Sequence, residues 1–150
     1  MAKKTKQKSS NSSIKQPIKN MAKKEKEVNQ DLPSEADVNK YKMLEKLLSS
    51  IYQEMKEFSK KKPEETLNKF KVKNVNRVLE QVKEIMKNEP TNEFLDLLDE
   101  DLLPTNSDSI LIIGQFNAAM LQFRSKYYRS YSSVYGHDVW TTKENPKKFS

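Results

Sequence analysis

The densest group of chemistry-bearing side chains in this sequence is Arg124, Lys126, Tyr127, Tyr128, Arg129, Tyr131 and Tyr135. Aromatic rings stack on bases while neighbouring cations meet phosphates, and stacking is worth about 1–3 kcal/mol per base. Arg124, Lys126, Tyr128 and Arg129 are the candidate nucleic-acid contacts of this segment. A core role competes for part of it. Ile113, Phe116, Met120, Phe123, Tyr127 and Tyr131 continue one stripe at helical steps. That stripe makes Tyr127 and Tyr131 the damp end of a core, with hydroxyls toward water. Trp140, the only tryptophan, follows in a polar stretch. It either folds back on the helices or anchors a partner, since tryptophan is enriched at binding hot spots. Tyr135 and Trp140 are the candidate partner-binding residues.

Other chemistries find little material. The chain has no cysteine, one histidine (His137) and two glycines, Gly114 and Gly136. Disulfides, thiolate nucleophiles, Cys-based zinc sites and paired imidazoles are excluded, as are Gly-rich phosphate loops. A lone histidine can act as a general base, so a nuclease would have to rest on His137. No serine sits in a Gly-x-Ser-x-Gly elbow. The acidic residues Asp96, Asp99, Glu100, Asp101 and Asp108 invite a calcium loop. Counted from Asp99, however, the fifth and sixth positions are Leu103 and Pro104, where an oxygen ligand and a glycine are required. The run reads as a solvated connection. The expectation is a protein without enzymatic activity, metal, cofactor or small-molecule substrate.

Charge is distributed unevenly. Nine lysines among residues 1–30, including Lys3, Lys4, Lys6, Lys8, Lys23 and Lys24, face only Glu25 and Glu27, which accounts for the whole formal charge of +7. The remainder carries 19 basic and 19 acidic groups, arranged in blocks. Lys56–Lys87 sums to +5, Glu89–Asp108 to −7, and 121–150 to +4. Such blocks are expected to pair within the fold. Residues 1–33 contain few apolar side chains and no period, so they read as a disordered Lys-rich arm. The arm lacks the apolar run of a secretory signal, which predicts an intracellular, cytoplasmic protein.

The elements that must position these residues are helical. Ser34 precedes Glu35 and Asp37 as an N-cap followed by acidic first-turn residues. Tyr41, Leu44, Leu48, Ile51, Met55 and Phe58 then recur at steps of 3, 4, 3, 4 and 3. Leu47 and Tyr52 widen that stripe, and Pro63 ends the helix. The seam suits an intramolecular helix or a coiled-coil dimer alike. Pro63 also reads as the first residue of a second helix, with Leu67, Val75, Val78, Leu79, Val82, Ile85 and Met86 on one arc. Phe70 lies outside that arc, which places a possible break near Val72–Asn74. A short helix is expected over Asn92–Asp99. A last helix, capped by Asn106, Ser107 or Asp108, should run to Ser132. It has no charged residue from Ser109 to Phe123 but is too short for a membrane span. Gly114, Ala118 and Ala119 would admit a close neighbour.

The resulting expectation is an all-α protein: a small helical bundle of three long helices plus one short helix over 34–133, preceded by the arm (1–33) and followed by a polar tail (134–150). Its function reads as that of a non-catalytic interaction or adaptor protein. The bundle would bind a protein partner or itself, while the arm adds nonspecific contact to nucleic acid or another anionic surface. The alternative is a regulator that reads nucleic acid with the bundle near Arg124–Tyr135.

Overall fold

The computed structural model describes residues 31–130 and 138–146. The described residues are mostly helical, with three helices, one 3-10 turn and one tiny antiparallel strand pair. Helix α1 spans Glu35–Lys61, α2 Lys69–Ile85 and α3 Asn106–Tyr127. Helix α1 packs against both others, most extensively against α3.

The start of α1 follows its local chemistry. Ser34 Oγ accepts the Asp37 amide at 3.0 Å, and Asp37 Oδ2 accepts the Ser34 amide at 3.0 Å. This reciprocal box satisfies two amides that the helix leaves without partners. Acid in the first turn and Lys60 and Lys61 in the last complement the helix dipole. Much of the α1 seam is consumed inside the chain: Tyr41, Leu44, Leu48 and Met55 are buried, while Ile51 and Phe58 are half-buried. Leu47, expected to widen the stripe, is instead about half exposed.

The start of α2 differs from the sequence expectation. Pro63 and Glu64 form a turn, and Asn68 caps the helix by accepting the Lys71 amide at 2.9 Å. Residues 63–67 are drawn away from helix by the start of α3. Leu67 donates its amide to Pro104 O (2.9 Å), while Asn106 and Ser107 donate theirs to Glu65 O (2.8 Å) and Pro63 O (3.1 Å). Thr66 pairs with Thr105 in an isolated antiparallel bridge. The Asn106 side chain donates to Lys62 O at 2.8 Å. Backbone groups satisfied across the chain cannot also make helical bonds. Beyond Asn68 the helix is continuous through Val72–Asn74, and Phe70, off the arc, is 75% exposed.

In the connection between α2 and α3, Pro90–Phe94 coils as a 3-10 turn. The expected helix over Asn92–Asp99 does not form: Leu95 is extended and the residues after it are not helical. Buried Asn76 explains this. Its Nδ2 donates to Leu98 O at 2.8 Å and its Oδ1 accepts the Leu98 amide at 2.9 Å, holding that peptide as a neighbouring strand would. Lys83 Nζ donates to Leu95 O. Leu95 and Leu98 are thereby turned into the core.

Thr105, rather than Asn106, Ser107 or Asp108, caps α3, its Oγ1 accepting the Asp108 amide at 3.1 Å. Ile113, Phe116, Met120, Phe123 and Tyr127 are buried as the stripe requires. The helix stops at Tyr127, short of the expected Ser132. Tyr128–Ser130 (β1) pairs antiparallel with Asp138–Trp140 (β2) in the register Tyr128–Trp140, Arg129–Val139 and Ser130–Asp138. Three-residue strands are too short to alternate legibly in sequence, and a lone ribbon is marginal in water. This one is held by Trp140, whose ring packs on Tyr41 (5.1 Å between centroids), Phe123 (6.2 Å) and Tyr128 (5.2 Å). Residues 141–145 continue onto the start of α1 rather than trailing as a tail. Lys143 donates its amide to Pro33 O (2.9 Å), and Glu144 Oε2 accepts the Glu35 amide (3.0 Å). No described helix is long and apolar enough to cross a membrane.

Asn76→Ala should leave the Leu98 amide and carbonyl buried without partners. It should destabilise the fold by about 2–4 kcal/mol, read as a lower midpoint in urea denaturation with unchanged helicity before the transition.

Candidate functional site

The candidate contacts sit where α3 ends and β1 begins. Two residues along a helix are about 200° apart, so Arg124 and Lys126 leave α3 on opposite sides. Arg124 turns toward α1, with Nη1 3.5 Å from Glu45 Oε1 and its guanidinium 4.7 Å from the Tyr128 ring centroid. Lys126 turns the other way. Its Nζ lies 3.1 Å from Glu89 Oε2 and 5.1 Å from the Tyr127 ring centroid. Arg129 Nη1 donates to Ser125 O (2.6 Å) and Tyr128 O (3.0 Å), carbonyls at the end of α3. The structure therefore brings Arg124 and Tyr128 together and sets Lys126 on a separate surface. Arg124 is nonetheless 46% exposed at its side chain, and exposed pairs of this kind are worth only about 0–1 kcal/mol. A phosphate can compete for it.

Trp140 takes the packing role of the two expected for it, half-buried among Tyr41, Phe123 and Tyr128. Lys3, Lys4, Lys6, Lys8, Lys23 and Lys24 lie outside the described residues, as do Tyr131, Tyr135 and His137.

Sequence reasoning missed the carboxylates that organise this end of the molecule. The Glu89 side chain is 8% exposed and accepts from both Lys126 Nζ and the Tyr127 hydroxyl. Glu45 faces Arg124 across 79 positions of sequence. Neither had a local signal, since their partners lie on another element. Burial, then the Glu89 hydrogen bond, pushes the Tyr127 phenol up to about 12. Burial also raises Tyr41 to about 12, with the Glu45 charge acting the same way. For Lys126, burial works against the charge, yet the Tyr127 and Glu89 hydrogen bonds hold its pKa above the ordinary lysine value.

The expected pairing of opposed charge blocks is narrow. Among the described residues, Glu89 alone of the acidic block takes a basic partner. The other cross-element pair is Arg124–Glu45, and the remaining three are local i,i+3 pairs on the surface. Asp99 is used by its own turn, its Oδ1 accepting the amides of Asp101 and Leu102 at 2.8 Å each. Those bonds hold its carboxyl below the usual range.

Apolar surface is the other notable material. A cleft of about 230 Å³ between α1 and α2 is lined by Ile51, Met55, Phe58, Phe70 and Val75, with Glu54 and Lys71 at its edge. A second, of about 570 Å³, lies beside Met43, Leu47 and Val78, with Arg77 and Glu80. Each is electrically balanced. On α3, Leu111 and Leu121 are 66% and 63% exposed.

Tyr41 and Tyr127 have folded pKa values above their ordinary value of 10, so the folded state holds protons that the unfolded state releases. Their contribution is fully present below pH 10 and is lost as pH rises through about 12. Denaturation midpoints should fall across that window. Absorbance titration of phenolate should show a late-ionising fraction from which Tyr41→Phe and Tyr127→Phe each remove one phenol.

Compared with family models, curated proteins and solved structures, the chain matches none, so the chemistry of this surface rests on its own geometry.

Proposed function

We propose that this chain is a non-catalytic interaction protein of the cell interior. Its helical unit binds a protein partner or itself, and residues 1–33 add a nonspecific, salt-sensitive grip on nucleic acid or another anionic surface. The observation that carries the reading is the division of charge. All of the net +7 lies in residues 1–30, whereas 31–150 sum to zero. A neutral unit with exposed leucines and balanced clefts suits apolar association. A lysine arm suits counterion release from a polyanion.

A second reading has one specific observation in its favour, the exposed Arg124 guanidinium stacked on Tyr128. In that reading Arg124, Tyr128 and Arg129 form the nucleic-acid contact and the arm only assists. Against it, Arg129 is turned onto its own backbone and Lys126 faces away.

Fluorescence anisotropy with labelled DNA and RNA separates the two. Replacing Lys3, Lys4, Lys6, Lys8, Lys23 and Lys24 by Gln in the full chain should abolish most binding and flatten its salt dependence by several units of slope, at about 0.9 per phosphate contact on duplex. Arg124→Ala with Arg129→Ala should change affinity less than about threefold, the scale of exposed pairs. The reverse pattern selects the second reading.

A further inference from the structure

The outer face of α3 does not match its surroundings. A helix that is apolar all round is normally buried. Here fifteen residues from Ser109 to Phe123 carry no charge and only Gln115, Asn117 and Gln122 as amides, yet Leu111, Ala118 and Leu121 face solvent alongside Gln115 and Gln122. The positions opposite the buried stripe are Ser107, Leu111, Gly114, Ala118, Leu121 and Ser125. Their steps are 4, 3, 4, 3 and 4, a heptad seam distinct from the one that packs inside the chain.

This seam is a palindrome. Leu111 and Leu121, Gly114 and Ala118, and Ser107 and Ser125 are each equidistant from position 116. The side chain of Phe116 itself is buried in the core, on the far side of the helix. A two-fold axis beside position 116 would therefore set like on like: leucine against leucine, small residue against small, serine against serine. Two-fold contacts have this reciprocal form, in which residue i meets j and j meets i. Of the small central pair Ala118 is exposed, while Gly114 is half-buried, with the Tyr52 ring of α1 at 3.8 Å from where a Cβ would stand, so a second helix would meet Ala118 and the rim of Tyr52. The leucines, five residues to either side, fill the space that opens as crossing helices diverge.

Charge favours the same arrangement. Asp108 lies in the first turn of α3, preceded by Asp99, Glu100 and Asp101, all of which are exposed. Arg124 and Lys126 lie in its last turn. Antiparallel pairing puts the acidic end of each helix beside the basic end of the other, twice, and aligns the two helix dipoles favourably. Parallel pairing would set acid against acid. The clefts between α1 and α2 have no such complement.

We propose that the outer face of α3, lined by Leu111, Ala118 and Leu121, holds the dyad of an antiparallel homodimer, with Leu111 of one copy packed on Leu121 of the second. This rests on the interaction reading above and names its partner as a second copy of the chain.

Sedimentation velocity of the full chain over a wide concentration series tests it. The wild type should dimerise. Leu111→Glu and Leu121→Lys, both at exposed positions, should keep their helical circular dichroism. Each should weaken dimerisation by about a hundredfold or more, because each buries two unpaired charges. Mixed in equal amounts the two variants should dimerise again, since the introduced carboxylate meets the introduced ammonium while the remaining leucines meet each other. A wild type that stays monomeric overturns the proposal, as it would if a foreign protein covered this face. A dimer indifferent to either substitution overturns the surface, and variants that do not rescue each other overturn the antiparallel register. Binding of DNA by the arm lysines is read separately. A monomer that still binds through them overturns the dimer alone and leaves the arm's role standing.

Discussion

The structure depends most on one buried ring. Tyr41, on α1, stacks on Phe123 of α3 with centroids 5.3 Å apart and 19° between planes, and touches Trp140 of β2. Its hydroxyl donates to Met120 O at 3.0 Å. That one side chain joins three elements and satisfies its own polar atom in the process. Burying a phenol without a partner would be unfavourable; with one, it fixes the rotation of α1 against α3. Phe123 and Tyr127 extend the cluster edge-to-face. The end of α3, the strand pair and the start of α1 are all referenced to this junction.

A second constraint acts through the backbone. The segments joining the helices are held by peptide groups and buried amides belonging to other elements. Asn76 grips Leu98, Asn106 grips Lys62, and the chain at 63–67 pairs with that at 104–107. A core formed only by three helices would leave these connections loose. Instead, they are tied down by short, directional bonds, of which the Asn76–Leu98 pair is buried away from water, where such bonds are worth most.

Electrostatics plays a narrower part among the described residues. The folded unit uses few cross-element ion pairs, and Glu89 is unusual in being both buried and doubly engaged. Its acidic neighbours stay solvated, so the charge blocks act as surface fields more than as internal ties. The formal charge divides along the sequence as well: residues 31–150 sum to zero, and residues 1–30 carry the whole +7.

Local chemistry sufficed for the helical class, for the Ser34 cap, for the extent of α1 and for the buried stripe from Ile113 to Tyr127, because capping, dipole and 3.6-residue periodicity operate within a few positions of one another. The arc of α2 was equally legible, although its start was not. Tertiary structure alone decided that Pro63 turns rather than opens a helix, that Leu95–Asp99 is not helical, that α3 yields to a strand at Tyr128 and that Trp140 packs back on Tyr41 and Phe123. In each case the deciding partner is remote in sequence: Pro104 for Leu67, Asn76 for Leu98, Tyr41 for Trp140. The same holds at the candidate site. Residue types near Arg124 were plain in the chain, but which of them share a face depended on the angular step of α3, and which are engaged depended on Glu45 and Glu89. Periodicity reports which side of a helix is apolar; it carries no information about which distant peptide group will claim a hydrogen bond.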